Sequence, residues 1–331
     1  MDARTKLQSN DPSSRLQTLI TSVPGQADQI RKVVVEFKPY TLRRRATEPS
    51  SIMVGKLIRL ATLLALPKAK EAEFHTLRCI ALVHQQLPST RFVLAFELPM
   101  HASSCMETSP PTLAEAITSR NCVRPTLGQR FKLGRTLART IFQLHSVDWL
   151  HKSIRSENIV FGTGPDTAEG SGVIDYSNPC LIGFEFAREE NDRSTTEYDD
   201  MLSCNIYRHP DRQGPPEERF SQLHDIYSLG VVLLEIGLWR PAISFEHSYG
   251  DMGPAEISES LKEHARDRLP HYMGSEYAEA VDRCLSGELL DDANEIVGGL
   301  TLPWQDSLRL KVNLGLEANI IGKLKSDLAL I

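Results

Sequence analysis

The feature that most constrains this chain is a change of grain along its length: short β-branched and apolar runs up to about residue 97, then helical periodicity. Val33-Val34-Val35-Glu36-Phe37-Lys38 ends at Pro39 and reads as a strand, because β-branched side chains fit a pleated surface and proline stops a ladder. Leu77 to Val83 and Arg91 to Phe96 read as two more strands, separated by the turn-like Gln85 to Thr90. Between the first and second of these strands, Ile52, Leu57, Leu60, Ala61 and Leu64 recur at helical spacing, and Pro67 closes the segment. Beyond a Ser/Pro/Met-rich connector over residues 100–111, helical spacing returns at Pro111 to Ser119, at Leu127 to His145 and at Asp225 to Leu238. Strands first and helices afterwards imply an α+β fold with two unequal lobes.

Residues 1–32 are polar, carry Pro12 and Pro24-Gly25, and are expected to hold at most one strand or short helix. A strand-rich part over 33–99, a helix-rich part over 100–300 and a tail over 301–331 follow. In the tail, Leu308 to Leu316 alternate like a strand, while Ile320, Ile321, Leu324 and Leu328 space like a helix, and the expectation is a helix.

Composition narrows the class. An apolar share of 41% and a charged share of 24% are those of a globular protein. A net charge of -6 offers no broad positive field for nucleic acid or an anionic membrane. The cluster Arg43-Arg44-Arg45 reads as a solvated face. The six cysteines Cys79, Cys105, Cys122, Cys180, Cys204 and Cys284 lie far apart without a C-x-x-C pair, so reduced thiols in a cytoplasmic setting are expected. No apolar h-region opens the chain and no run is long enough to span a bilayer.

The stretch from Leu144 to Phe161, LHSVDWLHKSIRSENIVF, resembles the helix end and catalytic loop of protein kinases, H-R-D-L-x-x-x-N followed by an apolar strand. Leu181 to Ala187 falls where kinases carry D-F-G, and Tyr207-Arg208-His209-Pro210-Asp211 resembles the A-P-E anchor. His224 to Glu235 looks like the kinase F helix, in which an Asp at the start accepts hydrogen bonds from the catalytic-loop backbone. The resemblance spans about residues 33–300 and therefore implies a two-lobed kinase-like fold, with Asp225, Pro210 and Asp211 in structural roles. It is similar in texture to a fungal group of kinase-like proteins found behind HeLo-type prion-inhibition domains. That likeness rests on the Val-Glu-Phe-Lys strand, Phe74-x-x-Leu77-x-Cys79 and Phe96-Glu97-Leu98-Pro99. Residues 1–32 are too few for such a domain, which leaves a stand-alone member or a truncated start.

The departures from the kinase pattern carry the functional expectation. Ser153 stands where the resemblance puts the catalytic Asp, and serine is no base at neutral pH; a positioned base supplies about 10²- to 10⁴-fold. Gly183 stands where the metal-binding Asp belongs, which leaves Asn158 alone as a vestigial magnesium ligand, and a neutral amide is a poor site for a hard dication. Glu185 and Asp175 are the nearest carboxylates. Within the loop, His151 reads as structural, Lys152 takes the arginine's place, and Arg155 belongs to the same constellation. Lys38 resembles the strand lysine that pairs with nucleotide phosphates, and is otherwise an exposed strand-end lysine. Residues 51–66 contain no acidic partner for it, and Glu48 is the only near candidate.

No glycine-rich loop precedes Lys38. Phe96 falls at the gatekeeper, and Pro99, lacking an N–H, removes one adenine hydrogen bond after Glu97. ATP with magnesium is accordingly expected weakly or not at all, and no cofactor is required. Ser194, Thr195 and Thr196 are candidate phosphorylation sites, read otherwise as a polar loop. The expectation is a pseudokinase that signals or scaffolds through an unidentified protein partner. The alternative is a serine/threonine kinase with residual or atypical transfer; adenylylation has no residue to recommend it.

Overall fold

The structure is a computed structural model that describes residues 4–8, 16–22, 29–40, 49–66, 74–85, 90–98, 109–163, 174–189, 201–213, 219–288, 320, 321 and 323. It is a mixed α+β protein that divides into two compact units.

The first unit comprises Met1–Pro111, Val160–Asp175 and Cys180–Phe186. Its sheet is antiparallel, built from β1 (Arg4–Gln8), β2 (Leu16–Ser22), β3 (Gln29–Pro39), β4 (Cys79–Gln85) and β5 (Arg91–Glu97) in the order β1-β2-β3-β5-β4. The expectation of at most one strand before residue 33 is corrected: β1 and β2 pair along Arg4↔Ser22 to Gln8↔Thr18, and β2 pairs with β3 from Leu16↔Val34 to Thr21↔Gln29. β1 is mostly polar and in β2 the apolar Leu16, Leu19 and Ile20 do not alternate, so the ladder with β3 supplies what side-chain pattern does not.

In β3 the period of two sends Val33 and Val35 into a cluster with Val93 and Ala95, all fully buried, with Phe37, Ile80 and Val83 packed around them. Glu36 and Lys38 therefore share the opposite face. Helix α1 (Ser51–Ala65) starts at Ser50, whose Oγ accepts the Met53 N–H at 3.3 Å, and turns Leu57, Leu60 and Leu64 inward. The short strand β8 (Cys180–Leu181) is attached through Leu181 N–H, which donates to the His75 carbonyl at 2.8 Å.

The second unit comprises Thr112–Ile159, Tyr176–Pro179 and Ala187–Ile331. Its described helices are α2 (Leu113–Thr118), α3 (Leu127–Ser146), the single turn α4 (Leu202–Asn205), α5 (Gln222–Leu238), α6 (Pro254–Asp267), α7 (Leu269–Met273) and α8 (Ser275–Ser286). Two two-residue strands, β6 (Trp149–Leu150) and β9 (Arg188–Glu189), pair antiparallel. β7 (Ile159–Val160) follows the loop that begins at His151.

Capping boxes fix the starts of α2 and α3: Thr112 pairs reciprocally with Glu115, and Thr126 with Gln129. Helix α5 is the axis of this unit. The sequence predicts one apolar stripe, Ile226, Leu229, Val232, Leu233 and Ile236, yet Val231, Leu234 and Glu235 on the other faces are buried as completely. The helix has neighbours on several sides, α3, α7 and α8 among them, so no face is left for water.

Of the tail, Ile320 and Ile321 are helical and buried, and Lys323 reaches Glu279 at 2.7 Å and Glu276 at 3.1 Å. The rest of the tail expectation lies outside the described residues. No helix among the described residues is long and apolar enough to cross a membrane.

Candidate functional site

In the second unit the loop from His151 to Asn158 is tied down by a single carboxylate. Asp225, in the first turn of α5 and fully buried, accepts the His151 N–H on Oδ2 and the Lys152 N–H on Oδ1, each at 2.8 Å. His145 Nε2, at the end of α3, lies 3.1 Å from Oδ2. Burial alone would raise this carboxyl's pKa, but the His145 ring and the backbone donors hold it below the ordinary carboxylate value. The tether keeps Lys152 in the left-handed region at φ 67°, which costs a residue with a Cβ about 1 kcal/mol. The Lys152 ammonium rests 5.6 Å from the centre of the Phe220 ring.

Ser153 and Asn158 are brought together. Asn158, buried, donates from Nδ2 to the Ser153 carbonyl at 2.8 Å and to Ser153 Oγ at 2.9 Å. Ser153 N–H in turn donates to His151 Nδ1 at 3.2 Å. The amide that the sequence singles out as a vestigial metal ligand thus closes the loop on itself. Arg155 reaches the Cys204 sulfur at 3.0 Å.

A buried chain of polar groups, missed by the sequence reading, links this loop to α5. Ser156 Oγ lies 2.6 Å from the Tyr207 hydroxyl, which donates to Glu235 Oε1 at 2.9 Å, and the Ala242 N–H donates to the same oxygen at 2.7 Å. Burial pushes the Glu235 carboxyl up to about 7, only partly offset by these donors. Burial and the neighbouring Glu235 carboxylate likewise raise the Tyr207 phenol well above its usual value. The only hint in the sequence is an acid set inside the apolar run Val231-Val232-Leu233-Leu234-Glu235-Ile236. Pro210 and Asp211 sit in a 3-10 turn, Pro210–Arg212, with His209 before it; Asp211 Oδ2 is 3.3 Å from His209 Nδ1.

In the first unit the segment Gly183–Glu185 is held by the polar face of β3. Glu36, 4% exposed, accepts the Gly183 N–H at 2.5 Å on one carboxylate oxygen and the Phe184 N–H at 2.6 Å on the other. Lys38 Nζ donates to the Glu185 carbonyl at 2.6 Å. Two successive N–H groups aimed at one anion form a nest, and here the chain's own carboxylate fills it. Gly183 has φ 93°, so this conformation suits glycine and strains any residue with a Cβ. Lys38 and Gly183 stand out in the sequence, whereas Glu36 is signalled there only by its position two before Lys38, on the same strand face.

Phe96 is fully buried in β5, and Glu97 pairs with Arg78 at 3.2 Å while its N–H donates to the Arg78 carbonyl at 3.0 Å. Pro99, Ser194, Thr195 and Thr196, together with Glu48 and Cys105, lie outside the described residues. Cys79, Cys122, Cys180, Cys204 and Cys284 are free thiols, and burial pushes Cys79 up to about 12.

Fold and site together define a mixed α+β protein with a carboxylate-tethered loop and a carboxylate-filled backbone nest. The chain belongs to the family described as Domain of unknown function (DUF7580), whose profile matches residues 84–294, more than half its length. No curated protein matches the chain.

Proposed function

We propose that this chain is a non-catalytic protein-kinase-like module, its first unit a small strand-rich lobe and its second a larger helical one, acting through conformation and partner binding. The observation that carries the reading is Asp225, which accepts the backbone N–H groups of His151 and Lys152 as the kinase F-helix aspartate does for the catalytic loop. Loop architecture is kept while the chemistry is gone: Ser153 is no base, and it shares its oxygen with the Asn158 amide. On the first unit, Lys38 and the nest at Gly183–Phe184 are engaged by groups of the protein itself, Glu185 carbonyl and Glu36 carboxylate. A nucleotide phosphate would have to displace both, which supports weak or absent ATP and magnesium binding. The reading goes with a cytosolic setting and a protein partner, a HeLo-type signalling domain being one class that fits.

The competing reading is a serine/threonine kinase with residual transfer. Radiolabelled autophosphorylation with Mg²⁺ and with Mn²⁺ separates the two. The expected result is no incorporation above that of an Asn158→Ala, Lys38→Ala double variant; signal well above that background makes the protein an enzyme.

A further inference from the structure

The geometry points to a divalent transition-metal site made by His209, Asp211 and His224, independent of the kinase-like reading. One donor atom of each residue lies within 4.8 Å of the other two. His209 and Asp211 come from one short turn, stiffened by Pro210 and closed by Arg212 N–H donating to the His209 carbonyl at 2.8 Å. The edge they already form is metal-sized: His209 Nδ1 and Asp211 Oδ2 stand 3.3 Å apart, and ligands about 2.1 Å from a tetrahedral zinc stand roughly 3.4 Å apart. The Asp211 N–H also approaches that nitrogen at 3.3 Å, the long end of hydrogen-bond range, and a metal would displace it.

His224 supplies the third corner from the first turn of α5. Its ring stands edge-on to His209 with centroids 5.3 Å apart and is backed by Phe220 at 5.0 Å, while Tyr227 stands edge-on to His209 at 5.2 Å. Aromatic walls on both imidazoles limit their rotation. His224 Nδ1 lies 3.0 Å from Ser221 Oγ and 2.8 Å from Ser221 N. As observed, Nδ1 accepts the Ser221 N–H; a metal on Nε2 would take that nitrogen's proton site and move the proton to Nδ1, which would then donate to the Ser221 hydroxyl as an outer partner. The cost is the contact with the Ser221 N–H.

Two imidazoles and one carboxylate select zinc, cobalt, nickel or copper over magnesium and calcium, which take oxygen ligands. The Arg212 guanidinium near His224 works against any cation, so selection rests on the nitrogen donors. The metal would cross-link the Pro210–Arg212 turn to α5 one residue before Asp225, and so brace the tether of the His151–Lys152 backbone.

The test is titration of the full chain, freed of metal by chelator, with Zn²⁺ and with Co²⁺. Saturable one-to-one binding is expected, with the intense visible bands of four- or five-coordinate cobalt and with no competition from excess Mg²⁺. His209→Gln and Asp211→Asn lie at the half-exposed and exposed positions, so both variants should fold with unchanged urea melts without metal. His209→Gln should bind at least about ten-fold more weakly, and Asp211→Asn more weakly than wild type, whereas His247→Gln, at an exposed position elsewhere, should bind as wild type. Absence of saturable binding, or equal affinity in His209→Gln and wild type, overturns the site.

Discussion

Two carboxylates on one helix, Asp225 and Glu235, are equally buried and shifted in opposite directions. The difference is the donor set. Asp225 is met by two backbone N–H groups and an imidazole, enough to outweigh its lost hydration, whereas Glu235 Oε2 has no hydrogen-bond partner among the described residues. Replacing Asp225 with Ala should cost about 3 kcal/mol or more, because buried N–H groups are left without an acceptor; urea melts check this, and a loss under about 1 kcal/mol would sink the tether. For Glu235 the sign runs the other way. Its folded pKa of about 7 exceeds the ordinary 4.5, so the folded state holds the extra proton between those values. That contribution is fully present below about pH 4.5 and is lost as pH rises through 7, at most about 3 kcal/mol in all. Glu235→Gln keeps an acceptor for Tyr207 and Ala242 but cannot titrate. The stability difference between wild type and this variant should therefore shift against wild type from pH 4.5 to pH 7, and a pH-independent difference would contradict the raised pKa.

Helix α5 shows at the scale of an element how close packing overrides local preference. A Cβ added at Gly230 would lie 2.8 Å from Cys284 Cβ on α8, and one at Gly237 would lie 2.4 Å from Leu269 Cδ2. Alanine gains about 1 kcal/mol in helix propensity, while overpacking costs about 1–3 kcal/mol. At Gly230 the obstacle is the root of a side chain, not its flexible end, so overpacking wins. Gly230→Ala should lower the melting temperature, and a rise would mean that α8 can yield. The Gly183–Glu185 segment is the second case. Gly183→Asp, which installs the carboxylate that the proposed kinase-like reading finds missing, meets φ 93° and should cost about 1–2 kcal/mol by thermal denaturation without yielding phosphotransfer.

For the molecule as a whole, the engagement of Lys38 and the nest by internal partners predicts an indifferent response to nucleotide. A ligand held with a dissociation constant of about 10 µM would, at about 1 mM, stabilise the fold by about 2.7 kcal/mol. Thermal melts with about 1 mM Mg-ATP should instead move by less than about 1 °C. Lys38→Ala should lower the melting temperature equally with and without nucleotide, since it breaks the bond to the Glu185 carbonyl. A metal-dependent shift of several degrees in wild type that Lys38→Ala abolishes would assign the lysine to phosphate binding.

Local pattern was enough for what depends on neighbours in the chain. Helical spacing located α1, α3 and α5, and β-branched runs located β3 and β5; that the loop and Asp225 belong together was implied only by the resemblance of two separate segments, Leu144–Phe161 and His224–Glu235, to kinase motifs. What depends on distant segments meeting was not legible. Glu36 acquires its role from Gly183 and Phe184, Glu235 from Ser156 and Tyr207, and His224 from a turn whose intervening residues carry no pattern that predicts the meeting. The pairing of β1 and β2 belongs to the same group, since strands without alternating apolar residues declare themselves only through their ladder. Periodicity reports which side of an element avoids water; it cannot report which polar group will be waiting there, because that is settled by burial and hydrogen bonding across the tertiary fold.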